Sequence, residues 1–412
     1  MNFISWQAAI LVAIVLILHR YFLKKGSRGI LLTIVSVGFI FFQTPYKAIS
    51  FLDALISLGT MALAWRAGNA IHSKTGPART KAIRNWILLL ITPLIFFKLV
   101  ITVVPMHIVE TVLIKKLHRF EGLSLVPIGL SYFTFRAIAY LVEIHRGRQE
   151  PVSLPKVFYY LAFWPTYLSG PIERPQPFFS QLEEDRRATS EDLAIGASRI
   201  LSGLWKKLVL GGIFFSITSP FMNLQLANIQ VALNKWEPWQ LWVCCLSYYF
   251  YLYFDFSGYS DIAIGVSRLF GYKICENFNW PILASNISDF WRRWHMSLTS
   301  WVFDYIYIPM GGNRLGMQRA ALNTVVAMLI IALWHGLNAH YFQYGLYQAS
   351  LLIIYRLWRK NWRRHFKPSP FPKVSKFLGW LVTLISFDFG FVLFIFDSHR
   401  AMAIYAKMLG LG

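Results

Sequence analysis

The side chains able to do chemistry in this chain of 412 residues collect in four short segments of its second half. Trp334-His335-Gly336-Leu337-Asn338-Ala339-His340 closes the apolar stretch Val325 to Leu333. An imidazole titrates near neutrality and suits proton transfer, although a histidine at a helix end also serves as a hydrogen-bonded structural residue. His335 and His340 are five apart and share no helix face, and no nearby carboxylate or cysteine completes a metal set. The segment Ile287 to Trp301 places Asp289, Arg292 and Arg293 at i, i+3 and i+4, with His295 three beyond Arg292 and Trp291, Trp294 and Trp301 around them. Basic and aromatic groups so mixed suit the phosphate of a pantetheine or nucleotide. They equally suit an interfacial anchor resting on lipid phosphates, with Asp289 and Arg293 as a structural pair.

The other two segments are Ser247 to Asp261 and Asp304 to Arg314. The first is an aromatic run holding Asp255 and Asp261, with Asp255 and Tyr259 on one helix face if the helix continues through Gly258. A polar seam that satisfies itself between helices has the same pattern. In the second, Pro309, Gly311 and Gly312 force a turn, read either as a plain loop or as uncovered amides facing an anion or a thioester oxygen.

The elements that must position these groups follow from composition. Hydrophobic residues make up 56% and charged ones 15%, against about 25% charged in globular chains, which excludes a soluble composition. Three cysteines cannot staple a chain of this length, and Cys244, Cys245 and Cys275 read as reduced thiols. The net charge of +22 would suggest nucleic acid in a soluble protein. Here the basic residues fall between apolar runs, at 19–29, 66–84 and 356–376, as in cytoplasmic loops of membrane proteins, and no nucleic-acid partner is expected.

A transmembrane helix needs about 20 mainly apolar residues. Candidates are 1–18, read as a retained first helix with an extracytoplasmic amino terminus, and about 30–46, 48–65, 86–104, 122–142, 156–170, 205–222, 238–263, 321–335, 341–358 and 377–397. Ionisable groups cost about 2.5 to 3.5 kcal/mol each at membrane depth, so those in the four segments are the best pointers to function. The fold class is all-α: a polytopic membrane protein of about 10–11 spans in a single domain over 1–412. Segments 156–170, 298–310 and 321–335 are expected as re-entrant or half-spanning pieces, and the polar insert 171–199, with three prolines, an acidic run and a helical stretch from about 190, divides the chain without making a separate domain.

At these residues the chain resembles the membrane-bound O-acyltransferase family. The resemblance rests on Phe290-Trp-Arg-Arg-Trp-His-Met-Ser-Leu298 and Leu333-Trp-His-Gly336. It extends upstream through Ile128 to Arg136, Ser169 to Arg174 and Tyr253 to Asp261, covering roughly residues 120–350 between N-terminal helices 1–119 and a tail 351–412 with a basic cytoplasmic loop. Within the family it is similar to the bacterial branch that modifies surface polymers, with features of both the teichoic-acid D-alanylation and the alginate O-acetylation types. The resemblance implies helices around a central tunnel in a bacterial plasma membrane, with His335 catalytic at its narrowest point and His295 beside the donor path.

It further implies an acyl thioester donor, on a carrier-protein phosphopantetheine or coenzyme A, no tightly bound cofactor and no metal. An extracytoplasmic accessory acyltransferase and a glycopolymer acceptor are the expected partners. The substrate-contacting set is then Arg292 and Arg293 toward the donor phosphate, Asn338 orienting the imidazole, and Asp289, Trp294, Trp334 and Asp255. The aspartates Asp255, Asp261, Asp289 and Asp304 are expected to be tied to the two histidines. The rival reading is a transporter of a lipid or polymer precursor, in which the polar seam lines a passage and no bond is made; a third is a scaffold for a surface-polymer complex, in which His335 is freely replaceable.

Overall fold

The computed structural model describes residues 6–24, 26–41, 47–103, 127, 129–185, 187–225, 228–362 and 371–411. Among these residues all regular structure is helical, as expected from sequence, and they form two compact units. Among the described residues, four helical stretches are long and apolar enough to cross a membrane: Gly76–Val100, Ser190–Gln225, Gly316–His335 and Pro372–Ile395.

The first unit comprises Met1–Ser202 and Tyr259–Cys275. It contains α1 (Trp6–Ile17), α2 (Ser27–Phe41), α3 (Lys47–His72), α4 (Gly76–Val103), α5 (Leu130–His145), α6 (Leu154–Ala162), α7 (Pro175–Glu184) and most of α8 (Ser190–Leu204). α5 packs on α3 and α4, and α6 on α2 and α3. Its core is aromatic: Phe178 meets Tyr159 at 5.4 Å and stacks on Tyr272 at 5.6 Å between ring centres. Buried charges are paired within it. Arg199 meets Asp261 at 2.7 Å, Arg268 meets Asp192 at 2.8 Å, and Arg136 donates to the Tyr160 carbonyl and the Thr166 hydroxyl.

The second unit comprises Gly203–Gly258 and Glu276–Gly412. It holds α9 (Gly211–Met222), α10 (Ile229–Leu233) and most of α11, which runs from Pro238 to Leu269 and so links both units in sequence. After these come α12 (Ile287–Arg293), α13 (Met296–Val302), α14 (Gly316–His335), α15 (Ala339–Leu357), α16 (Pro372–Ile395) and α17 (Ser398–Met408). α14 and α15 form a hairpin closed by the three residues 336–338, with α16 laid along α15. Gly258 lets two backbones approach: a Cβ there would stand 2.7 Å from the Gly203 carbonyl.

Several boundaries differ from the sequence reading. The basic segment 66–84 is mostly helical, with only residues 73–75 as a loop, because α3 continues through Arg66 to His72 and α4 already contains Arg79, Lys81 and Arg84. Arg79 reaches the Ile144 carbonyl, so its charge is used on a helix end. The insert 171–199 gains α7, which begins at Pro175, contains Pro177 and ends before Asp185, since proline suits the first helical turn. α14 starts at Gly316, ahead of the expected 321, and at 20 residues, about 30 Å, it is long enough to span. The nine residues of α6 are too short for that, in line with a half-spanning piece. Within the basic segment 356–376, Trp358–Trp362 continues the preceding helix and Pro372 opens the next, while 363–370 lie outside the described residues. Residues 122–126 and 128 of the expected span 122–142 do so too.

Candidate active site

The site is built in the second unit around a break between two short helices. The Asn286 side chain caps α12 by accepting the Asp289 amide at 2.9 Å. After Arg293 the chain leaves the helix, and His295 takes a left-handed backbone (φ 42°, ψ 52°), a conformation uncommon outside glycine. That twist separates α12 from α13. The extended stretch Asn277–Asn279 holds the break in place: the Asn279 amide donates to Arg293 at 2.9 Å and the Met296 amide to Asn277 at 2.8 Å.

Asn277 is fully buried and sets the state of the imidazole. Its Oδ1 lies 3.1 Å from His295 Nδ1 and also accepts the Ser297 hydroxyl at 2.8 Å and the Ser297 amide at 3.4 Å. A backbone N–H only donates, so the oxygen of Asn277, not its NH2, occupies this position. His295 Nδ1 therefore carries the proton of the neutral ring, and Nε2 is left as an acceptor. That Nε2 is buried and has no hydrogen-bond partner among the described residues.

His295 lines a cavity of about 350 Å³. The same cavity is lined by His335, the last residue of α14, together with Phe256, Trp294, Tyr341 and Phe394. Aromatic rings fix both imidazoles. Phe256 meets His295 edge-on at 4.8 Å, and Phe394 meets His335 the same way at 4.8 Å. Trp334 bridges the pair, 5.9 Å from His295 and 4.7 Å from His335 between ring centres. Gly336 is required beside them, since a Cβ would lie 2.7 Å from the Tyr341 ring.

The structure thus brings His335, His295, Trp294 and Trp334 together. Asp289 binds Arg293 at 3.0 Å, and Arg292 faces a different cavity. Asn338 stands at the amino end of α15, where its carbonyl accepts the Phe342 amide. For three of the four aspartates expected to be tied to the histidines the ion pairs lie elsewhere: Asp255 pairs with Lys207, Asp261 with Arg199 and Asp289 with Arg293. α11 does continue through Gly258, but the acids on it meet bases from the preceding helical stretch. Of the two readings of the glycine turn, the geometry favours the plain loop: Gly311 and Gly312 have positive φ, and their amides donate to the Ile308 and Tyr307 carbonyls at 3.0 Å. Asn277 is the residue that sequence reasoning passed over; its one visible signal is a polar side chain in Asn277-Phe-Asn-Trp-Pro281 between apolar segments.

Residues 85–395, a stretch that includes both the Trp-Arg-Arg-Trp-His segment and the Trp-His-Gly helix end, fit the model of the membrane-bound O-acyltransferase family. The chain belongs to that family. The match is wider than the motifs alone, and with its apolar helices it makes this a multi-pass membrane protein. Among curated relatives, a probable alginate O-acetylase of Pseudomonas aeruginosa is 33% identical over 290 residues, 70% of this chain and 52% of the relative. A teichoic acid D-alanyltransferase of Bacillus subtilis is 34% identical over 280 residues, 65% of this chain and 68% of that one. A peptidoglycan O-acetyltransferase of Helicobacter pylori is 31% identical over 329 residues, 73% and 60% respectively. The chain spans about half the length of the alginate relatives it matches.

Proposed function

We propose that this member of the membrane-bound O-acyltransferase family moves an acyl group, acetyl or D-alanyl, from a cytoplasmic thioester to a hydroxyl of an extracytoplasmic glycopolymer, directly or through a partner protein. The observation that carries the reading is the shared cavity: His335 lines it beside a neutral His295 whose Nε2 is buried and unpartnered. The relatives' names, an O-acetylase, a D-alanyltransferase and an O-acetyltransferase, fit the same reaction type.

In this reading His335 accepts the hydroxyl proton while the oxygen attacks the thioester carbonyl. The new C–O bond forms, the C–S bond breaks, and the proton passes to the departing thiolate, so no cofactor is consumed. General-base help of this kind contributes about 10² to 10⁴ in rate, with positioning supplying more. His295 offers its Nε2 as an acceptor to an N–H of the donor, and the aromatic walls exclude water from the thioester. Carrier-protein phosphopantetheine or coenzyme A supplies the donor, and an extracytoplasmic accessory acyltransferase completes transfer to the polymer.

The test uses purified protein with a labelled acyl thioester and a glycopolymer acceptor with its accessory enzyme. Label transfer that disappears in His335→Ala, with the variant still inserted and folded, supports the reading. A thioester that stays intact while a lipid or polymer precursor crosses the membrane would establish a transporter instead.

A further inference from the structure

We propose that the Tyr341 hydroxyl is a catalytic group of acyl transfer, donating a hydrogen bond to the thioester carbonyl oxygen as that oxygen becomes an oxyanion. This rests on the thioester reading above and adds the group that stabilises the charge the base creates. Attack on a carbonyl carbon places negative charge on its oxygen, and a fixed donor aimed there contributes about 10² to 10³ in rate. His295 does not fill that role, because its Nδ1 proton goes to Asn277 and its Nε2 is an acceptor. The Thr299 hydroxyl, also in the cavity wall, is engaged by the Trp294 carbonyl at 3.1 Å.

Packing singles out Tyr341. Among the described residues three side-chain rings meet the His335 imidazole: Trp334 at 4.7 Å, Phe394 at 4.8 Å and Tyr341 at 6.0 Å between centres, the last inclined by 29°. Phe394 has no donor, and Trp334 is not among the residues that line the cavity. Tyr341 lines it, carries an O–H, and makes no hydrogen bond through that hydroxyl among the described residues. The indoles of Trp291 and Trp294 also line the cavity, but both pack on Phe290 and Phe387 instead of His335. Seven of the fourteen lining residues are Leu, Ile or Phe, so a carbonyl oxygen entering there finds few other donors.

The hairpin turn brings the two side chains together. His335 ends α14 and Tyr341 stands in the first turn of α15, with Gly336 leaving room for the ring edge, where a Cβ would lie 2.7 Å from Cε2. His340 at 4.2 Å and Phe394 at 5.5 Å also meet the ring, so the donor is held before charge develops. A base and an oxyanion donor that each sit about 3 Å from a reacting centre stand within roughly 6 Å of each other, which a ring packed on His335 allows. In the reaction the acceptor oxygen adds to the carbonyl carbon and its proton goes to His335. The carbonyl electron pair moves onto oxygen, where Tyr341 hydrogen-bonds it and keeps its own proton. The pair then returns, the C–S bond breaks, and the thiolate takes the proton from His335.

The test compares wild type, Tyr341→Phe and a protein carrying 3-fluorotyrosine at position 341, each as the full chain in nanodiscs. Steady-state transfer is followed from labelled acetyl- and D-alanyl-phosphopantetheine thioesters, with the accessory enzyme and its glycopolymer present. Removing a hydroxyl that bonds to nothing in the protein leaves the ring packing in place, so the melting temperature of Tyr341→Phe is expected to match wild type. Its kcat is expected to fall by about 10² to 10³ with KM changed by less than about twofold, the pattern of an interaction made in the transition state. The fluorotyrosine protein, which keeps both ring and O–H, retains transfer. Full transfer by Tyr341→Phe overturns the proposal and leaves the ring as packing for His335. So does a raised KM with unchanged kcat, which marks a contact made equally in the ground state. A fluorotyrosine protein as slow as Tyr341→Phe overturns it too, since the defect would then be one of packing. The acyl-transfer reading fails separately, by full label transfer in His335→Ala.

Discussion

The histidine cavity and the basic cavity lined by Arg292, Arg356, Arg359 and Lys360 share α12, α14 and α15 and lie toward opposite ends of the α14–α15 hairpin, yet their walls have little chemistry in common. The closed end carries aromatic rings around two imidazoles, and the open end carries four permanent cations. The difference teaches how one hairpin separates two tasks. A neutral imidazole brings no charge into apolar walls, so it can sit buried with one ring nitrogen paired and the other open to accept a hydrogen bond. A guanidinium keeps its charge under any surrounding, and its useful place is where an anion arrives from water.

The comparison breaks most decisively at His335. His335→Ala is expected to lower acyl transfer by about 10² to 10⁴, measured with labelled thioester, while circular dichroism and membrane insertion remain as in wild type. Retained transfer would remove the catalytic role from the closed end of the hairpin. Next in size is Asn277→Ala, which takes the acceptor from His295 Nδ1 and leaves a buried donor unpaired, at about 1 to 3 kcal/mol of stability. Transfer is expected to fall as well. Asn277→Asp restores an acceptor and should recover activity more than stability; equal transfer in wild type and Asn277→Ala would show that the tautomer is immaterial.

Gly336→Ala sharpens the same end by packing alone. The added methyl meets the Tyr341 ring, and the expected cost is about 1 to 3 kcal/mol, read as a lowered melting temperature with a displaced His335 and slower transfer. An unchanged melt would show that Tyr341 moves freely. The smallest effect is expected at Asp289. Its pair with Arg293 is about 30% exposed on both sides, so Asp289→Asn should change stability by less than about 1 kcal/mol and leave acyl transfer intact. A large loss of transfer in that variant would return Asp289 to the site.

Much of the site was legible in the chain. His335 closes an apolar stretch as an isolated ionisable group, a placement whose cost marks function, and the two tryptophan-containing motifs around His295 and His335 carry the family resemblance. Asn277 was not legible as their partner, because its contact with His295 exists only once an extended segment lies against the break between two helices. The ion pairs of the aspartates were illegible for a related reason. Helix periodicity reveals little when lipid-facing and buried sides are both apolar, so nothing in the sequence pairs Asp255 with Lys207 or Asp261 with Arg199. Arg356, Arg359 and Lys360 read as part of a basic loop, whereas the continuing helix carries them to the same cavity as Arg292.

By itself the sequence determined the solvent, the helical class and the identity of the reactive groups, since these follow from transfer energies and intrinsic chemistry that each residue carries with it. Only the tertiary structure decided which groups meet. A hydrogen bond such as Asn277 to His295 acts over about 3 Å, and whether two residues come that close depends on a helix break, a glycine contact and a hairpin that no local pattern specifies.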